Sequence, residues 1–156
     1  MIQFTVERVV RAGPAEVYAW FADYSNRDYT GPDFIPDEKM NRAVMEQDET
    51  HAIFSDHYTF VDLAYRAEKH PPTSIAATGA GKRMNGTVVS TITPTVEGAK
   101  LVIEFSFEPR GGAKLMAALM KGHIEKAHIR HVDAFLKDFY AGRDKGPGAS
   151  GAVGTV

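Results

Sequence analysis

The stretch AKLVIEFSFEPRGGAKLMAALMKGHIEKAHIRHVDAFLKDFY, residues 99–140, changes its hydrophobic period once. Leu101, Ile103, Phe105 and Phe107 alternate with Val102, Glu104, Ser106 and Glu108, the two-residue period of a strand with one buried face. Pro109, Gly111 and Gly112 end that strand. From Ala113 to about Tyr140 the chain then has no proline and a single glycine, Gly122, so a long helix follows. At 1.5 Å per residue such a helix spans about 40 Å, the width of a small domain.

The rest of the chain arranges itself before this pair. Ile2, Phe4, Val6 and Val10 share one face of a first strand, and Arg8 is the charged residue in that register, expected near the strand's end. Gly13-Pro14 opens a helix to about Tyr24, with proline in the first turn and Glu16 near the positive end of the helix dipole. Val17, Trp20, Phe21 and Tyr24 form its apolar stripe, read as core packing. Ser25 to Asp37 carries Asn, Asp, Gly and Pro and allows a short second helix at most. Tyr29, Phe34 and Ile35 in it are either staples over the core or part of a cavity lid.

Met40–Asp48 and His51–Phe60 read as two strands. Phe54, Tyr58 and Phe60 are even-numbered, whereas Val61, Leu63 and Tyr65 are odd, so a turn or bulge must intervene, placed between Ser55 and Phe60. Pro71-Pro72 ends the next strand, Thr73–Thr78 is a weaker one, and Gly79-Ala80-Gly81 is read as a turn. Met84–Thr95 is a strand rich in Val, Ile and Thr, joined by Glu97-Gly98 to the strand of the opening stretch. The count is seven strands, one or two helices after the first, and one long terminal helix. Residues from Gly142 onward are small and aperiodic, so the domain is drawn over 1–141 and 142–156 is read as a flexible Gly-rich tail.

Bulk properties exclude several classes. A chain of 156 residues with 44% apolar content is a single domain able to bury a core. Net charge is -2 without charge blocks, so neither nucleic acid nor a membrane surface is called for. Cysteine is absent, which removes disulfides and thiolate chemistry and fits a reducing cytoplasm. The N-terminus lacks the apolar core of a signal peptide, and no run is long enough for stable membrane insertion.

The segment Val6-Glu7-Arg8-Val9-Val10, followed by Ala12-Gly13-Pro14-Ala15-Glu16-Val17-Tyr18-Ala19-Trp20-Phe21-Ala22-Asp23, resembles the opening of the START-like superfamily, the helix-grip group containing Bet v 1-type proteins and polyketide cyclases. The element order agrees over residues 1 to about 141. Two departures stand out: no tryptophan follows the first helix, and Arg110-Gly111-Gly112 replaces the Gly-Trp of the chaperone-activator branch. The resemblance implies an α+β fold in which a curved seven-stranded antiparallel sheet wraps around the C-terminal helix. It also implies a cavity between sheet and helix for a lipid, sterol, polyketide or other apolar molecule, with no cofactor.

The residues support such a cavity in one respect. Leu115, Met116, Leu119 and Met120 give the first half of the long helix an adaptable surface, suited to a roof. Ile124, His131, Val132, Phe135, Leu136 and Phe139 give the second half a bulkier stripe for solid packing. The candidate ligand-binding set is Phe54, Tyr58, Leu63, Tyr65, Ile103, Phe105, Met116, Leu119, Met120 and His123. Tyr58 and Tyr65 offer polar tips in an apolar wall, and His123, following the roof residues, could orient an oxygen or act as a base. His128 and His131 are spaced as metal ligands can be but have no third partner, so no metal site is expected. Asp56 falls in an apolar register and is either at a break in the strand or functional. The first expectation is therefore binding of a small apolar molecule. The alternatives are a cyclase or aromatase using Asp56, Tyr65 and His123, and a protein-interaction module with a filled core.

Overall fold

The computed structural model describes residues 1–26, 41–58 and 61–144. Strand β1 (Ile2–Val10) leads into helix α1 (Pro14–Ala22) and a single 3-10 turn at Tyr24–Asn26. Six strands follow: β2 (Asn41–Gln47), β3 (His51–His57), β4 (Asp62–His70), β5 (Ser74–Ala80), β6 (Met84–Thr95) and β7 (Gly98–Pro109). Helix α2 (Ala113–Asp144) comes last. The strands form one curved antiparallel sheet in the order β1-β7-β6-β5-β4-β3-β2. Consecutive strands are neighbours from β2 to β7, whereas β1 and β2 lie on opposite edges, so the connection holding α1 crosses the whole sheet.

Local chemistry explains where elements stop. Helix α1 ends two residues earlier than its apolar stripe suggests, because the Asp23 carboxylate accepts a bond from the Ser25 amide at 3.0 Å and offers the backbone an alternative to another helical turn. The expected second helix and the residues Tyr29, Phe34 and Ile35 fall outside the described residues. The parity change falls between two strands: β3 ends at His57 and β4 begins at Asp62.

Gly79 is not in a turn. It lies inside β5, buried, directly between Tyr65 of β4 and Gly86 of β6. A Cβ built on Gly79 would sit 2.5 Å from the Tyr65 ring, and one on Gly86 would sit 2.9 Å from the Tyr65 hydroxyl. The two glycines thus let the tyrosine lie flat along the sheet, a cross-strand aromatic-over-glycine pairing. The turn is displaced to the residues between Ala80 and Met84.

The concave face carries the core. Val10, Val17, Leu63, Ile92 and Leu101 are almost completely buried. The C-terminal half of α2 seals one end with Val132, Leu136 and Phe139, the last meeting Trp20 edge to face at 5.8 Å. Polar ties reinforce it. Arg8, two residues before the end of β1, grips Asp133 with bonds of 2.8 and 3.2 Å. The Arg11 amide donates to the Tyr140 hydroxyl at 3.0 Å, and Arg143 donates to the Arg11 carbonyl at 2.6 Å. These last contacts carry α2 through Gly142 to Asp144, past the domain end expected at 141; the tail from 145 lies outside the described residues. No described helix is long and apolar enough to cross a membrane.

The N-terminal half of α2 is different. From Ala113 to His123 only Ala117 is buried, while Leu115 and Leu119 are 71% and 79% exposed. Leu119 therefore points to solvent and not under the helix, because it lies on the far side of the axis from Ala117 and Ile124, seven residues apart on the inward face.

The glycine arrangement gives a direct test. Gly79→Ala should lower unfolding free energy by about 1–3 kcal/mol, the usual cost of overpacking a core. The same change in a Tyr65→Ala background should cost little. Denaturant melts of the four proteins in a double-mutant cycle measure this coupling, and simple additivity would show that the ring does not depend on the missing Cβ.

Candidate functional site

The sheet's concave face is organised in cross-strand rows. One runs through Phe54, Tyr65, Gly79, Gly86 and Phe107. Phe54 and Tyr65 stack with centroids 5.1 Å apart, and Tyr24 covers Phe54 from the other side at 4.5 Å. The parallel row ends in Arg42 of β2 opposite Asp56 of β3. Their side chains form a two-pronged ion pair, Nε to Oδ1 and Nη2 to Oδ2, both 2.6 Å. Asp56 is 1% exposed, and the Arg42 guanidinium also lies 4.2 Å above the Phe54 ring.

Asp56, one residue before the end of β3, is therefore not alone. A buried carboxylate is tolerable only with its charge matched and its oxygens bonded, and the planar fork of arginine supplies both.

Helix α2 closes this end from above with His128, His131 and Phe135. His128 Nδ1 bonds the Ile124 carbonyl at 2.7 Å. A carbonyl can only accept, so Nδ1 carries a proton, and in the neutral ring Nε2 keeps its lone pair. His128 packs against Phe105 and Phe107, each 5.0 Å away. Burial lowers its pKa, opposed by the bond to Ile124 and the charge of Asp56. Burial likewise pushes His131 down to about 3, helped by His128 and by the positive charges of Arg42 and Arg130. Both rings are neutral at physiological pH.

Two cavities lie between sheet and helix. An inner one of about 100 Å³ is bounded by the Arg42–Asp56 pair, the Phe54–Tyr65 stack and the two histidines. An outer one of about 630 Å³ lies under the N-terminal half of α2, among Leu63, Met84, Met116 and Met120. Tyr58, Phe107 and His128 line both, so these three side chains form the shared wall. The core is not filled.

Of the residues expected to meet a ligand, Phe54, Tyr58, Tyr65, Ile103 and Phe105 line the inner cavity. Tyr58, Leu63, Met116, Met120 and His123 line the outer one. Leu119 lines neither. Asp56, Tyr65 and His123 do not converge, because His123 borders the outer cavity while the other two border the inner. Arg42, His128 and His131 line the site without belonging to the candidate set. The helical period is a sufficient signal for both histidines: Ala117, Ile124, His128, His131 and Phe135 continue a single inward stripe. Arg42 could have been sought as the cation that a buried Asp56 requires. Among the described residues no three His, Asp or Glu side chains gather as a metal site.

Solved structures share this architecture. A protein from Thermus thermophilus superposes with a TM-score of 0.66 at 15% identity, over 88% of this chain and 93% of that one. Ara h 8.0201 gives 0.59 at 14% identity, over 89% and 97%. The di-domain ARO/CYC StfQ of the steffimycin biosynthetic pathway gives 0.66 at 13% identity, over 92% of this chain and 52% of that one. At these identities the likeness establishes the fold, a Bet v 1-like sheet gripping a helix. No curated protein is close enough in sequence to match. The family model described as polyketide cyclase / dehydrase and lipid transport matches residues 1–130, most of the chain, and the chain belongs to that family.

Proposed function

We propose that the chain binds a small apolar or amphipathic molecule between the sheet and α2, its apolar body in the outer cavity. The observation carrying this reading is the outer cavity: about 630 Å³, within the roughly 300–1,000 Å³ range of ligand sites, with methionine and leucine walls. Methionine adapts to irregular shapes at low cost, which suits a ligand that enters and leaves. The family description, which includes lipid transport, supports the same reading.

A ligand that binds only the folded chain raises its melting temperature in proportion to the logarithm of its concentration. Lipids, sterols and aromatic polyketides should include compounds that do so and that survive as one-to-one complexes in native mass spectra. Ala117→Trp, which fills the outer cavity from the helix side, should abolish the shift while the apo-protein still melts cooperatively. A panel without shifts or complexes would remove the reading.

A second reading, a cyclase- or dehydrase-type enzyme, is favoured by one observation. His128 presents an unprotonated Nε2 with its other nitrogen fixed at 2.7 Å on Ile124, at the wall shared by the two cavities. A neutral imidazole held this way is equipped to take a proton from a bound substrate.

The same neutrality has a consequence for stability that does not depend on any substrate. In the unfolded chain a histidine titrates near 6.5, whereas folded His131 titrates at about 3 and folded His128 is also lowered. Above about pH 6.5 both states hold neutral rings and neither residue contributes. Below it the unfolded chain takes up protons that the folded chain refuses, so stability falls by about 1.4 kcal/mol per pH unit for each such group. Denaturant melts of His131→Phe between pH 6.5 and 4 should show a shallower loss than the wild type. An unchanged slope would mean that His131 is protonated in the fold.

A further inference from the structure

The outer cavity is apolar within and charged at one end. Three cationic side chains border it, Lys82, Arg83 and Arg110, and among the described residues lining it none is acidic. The chain as a whole carries a net charge of -2, so this is a local segregation and not a reflection of composition. The fold causes it. Lys82 and Arg83 stand in the turn between β5 and β6, and Arg110 stands in the turn between β7 and α2. The Arg110 amide donates to the Arg83 carbonyl at 2.7 Å, which pins the two turns together and gathers the three side chains on one rim. Lys82 and Arg110 are exposed, so both keep enough hydration to remain charged. Met116, Met120 and His123 of α2 line the same cavity.

This rim asks for a particular kind of occupant. An uncharged apolar molecule would fill the cavity but leave the rim without a use, whereas a cationic amphiphile would be repelled by it. A molecule with an apolar body and one acid group satisfies both parts at once, its body beneath α2 and its acid at the rim. Arginine and lysine bond carboxylate and phosphate oxygens, and such charge-assisted bonds are about twice as strong as neutral ones.

Resting on the reading of the cavity as a ligand site, we propose that its ligands are anionic amphiphiles, held by Lys82 and Arg110 through a carboxylate or a phosphate. The rim is then the selector for charge, and the Met116–Met120 wall the selector for an apolar body. The inner Arg42–Asp56 pair takes no part in charge selection, because its two charges already satisfy one another.

Four probes of equal chain length distinguish the possibilities: laurate, dodecyl phosphate, methyl laurate and dodecyltrimethylammonium, each used below its micelle-forming concentration. Binding is measured by isothermal titration calorimetry and by displacement of an environment-sensitive fluorophore. Laurate or dodecyl phosphate should bind about tenfold or more tightly than methyl laurate, and the cation should bind weakest; whichever acid binds better identifies the head group. In Lys82→Gln/Arg110→Gln, two exposed changes that spare the core, the acid-to-ester ratio should fall toward one, and raising salt should reduce it in the wild type.

Equal binding of acid and ester, or an acid preference that survives the double substitution, overturns the charge assignment while leaving the cavity reading intact. Failure of all four to bind, together with an inert panel of lipids, sterols and polyketides, removes both.

Discussion

A straight helix laid along a concave sheet cannot touch it everywhere, and the rest of this structure follows from where contact is made. Helix α2 has 32 residues, about 48 Å at the usual rise. Its C-terminal half is bound to the sheet and α1 by Val132, Leu136 and Phe139 and by three polar ties to β1 and the residue after it. Its segment from Ala113 to His123 is held chiefly through Ala117 and through its connection to β7. The helix is supported at one end and bridges space at the other. A small residue at 117 and flexible ones at 116 and 120 keep that space from collapsing.

The chamber has two electrical characters, at opposite depths. Deep inside, Arg42 and Asp56 cancel at 2.6 Å, so the field there is that of a dipole; His128 stays neutral because burial outweighs the nearby carboxylate, and His131 because burial and the positive charges of Arg42 and Arg130 act together. Such a pair is costly to bury and gains most by fixing an arrangement that an apolar pair would leave loose. At the rim, the cations of two pinned turns are not mixed with acids among the lining residues. One end orders the inside, and the other meets what arrives from outside.

Much of the fold is legible in the sequence. Period and punctuation determine all seven strands, their hairpin connections and the long helix, because each strand from β2 onward pairs with its neighbour in the chain. The site is legible only where one-dimensional rules carry direction. Alternation correctly puts Phe54, Tyr65, Ile103 and Phe105 on one face. The helix is harder, since adjacent positions turn by about 100°, and grouping Leu119 with Met116 and Met120 by hydrophobicity alone puts it on the wrong side. Gly79 misleads for a related reason: a glycine inside a strand looks like a turn until the tyrosine that needs its empty face is known to lie in the next strand. Arg42 and Asp56 stand fourteen residues apart and meet through strand register, which is a property of the sheet and not of either segment.

The tyrosine lying across Gly79 and Gly86 bears on how the interior can be retuned. With hydrogen in place of Cβ at both positions, the ring rests against the backbone and the chamber above it keeps its full depth. A methyl at either place would lift the ring toward α2, narrowing the inner compartment while leaving the outer walls alone. The shape of the interior is therefore adjustable from beneath, through positions that never touch a guest. The depth of the site and the chemistry of its entrance can vary independently.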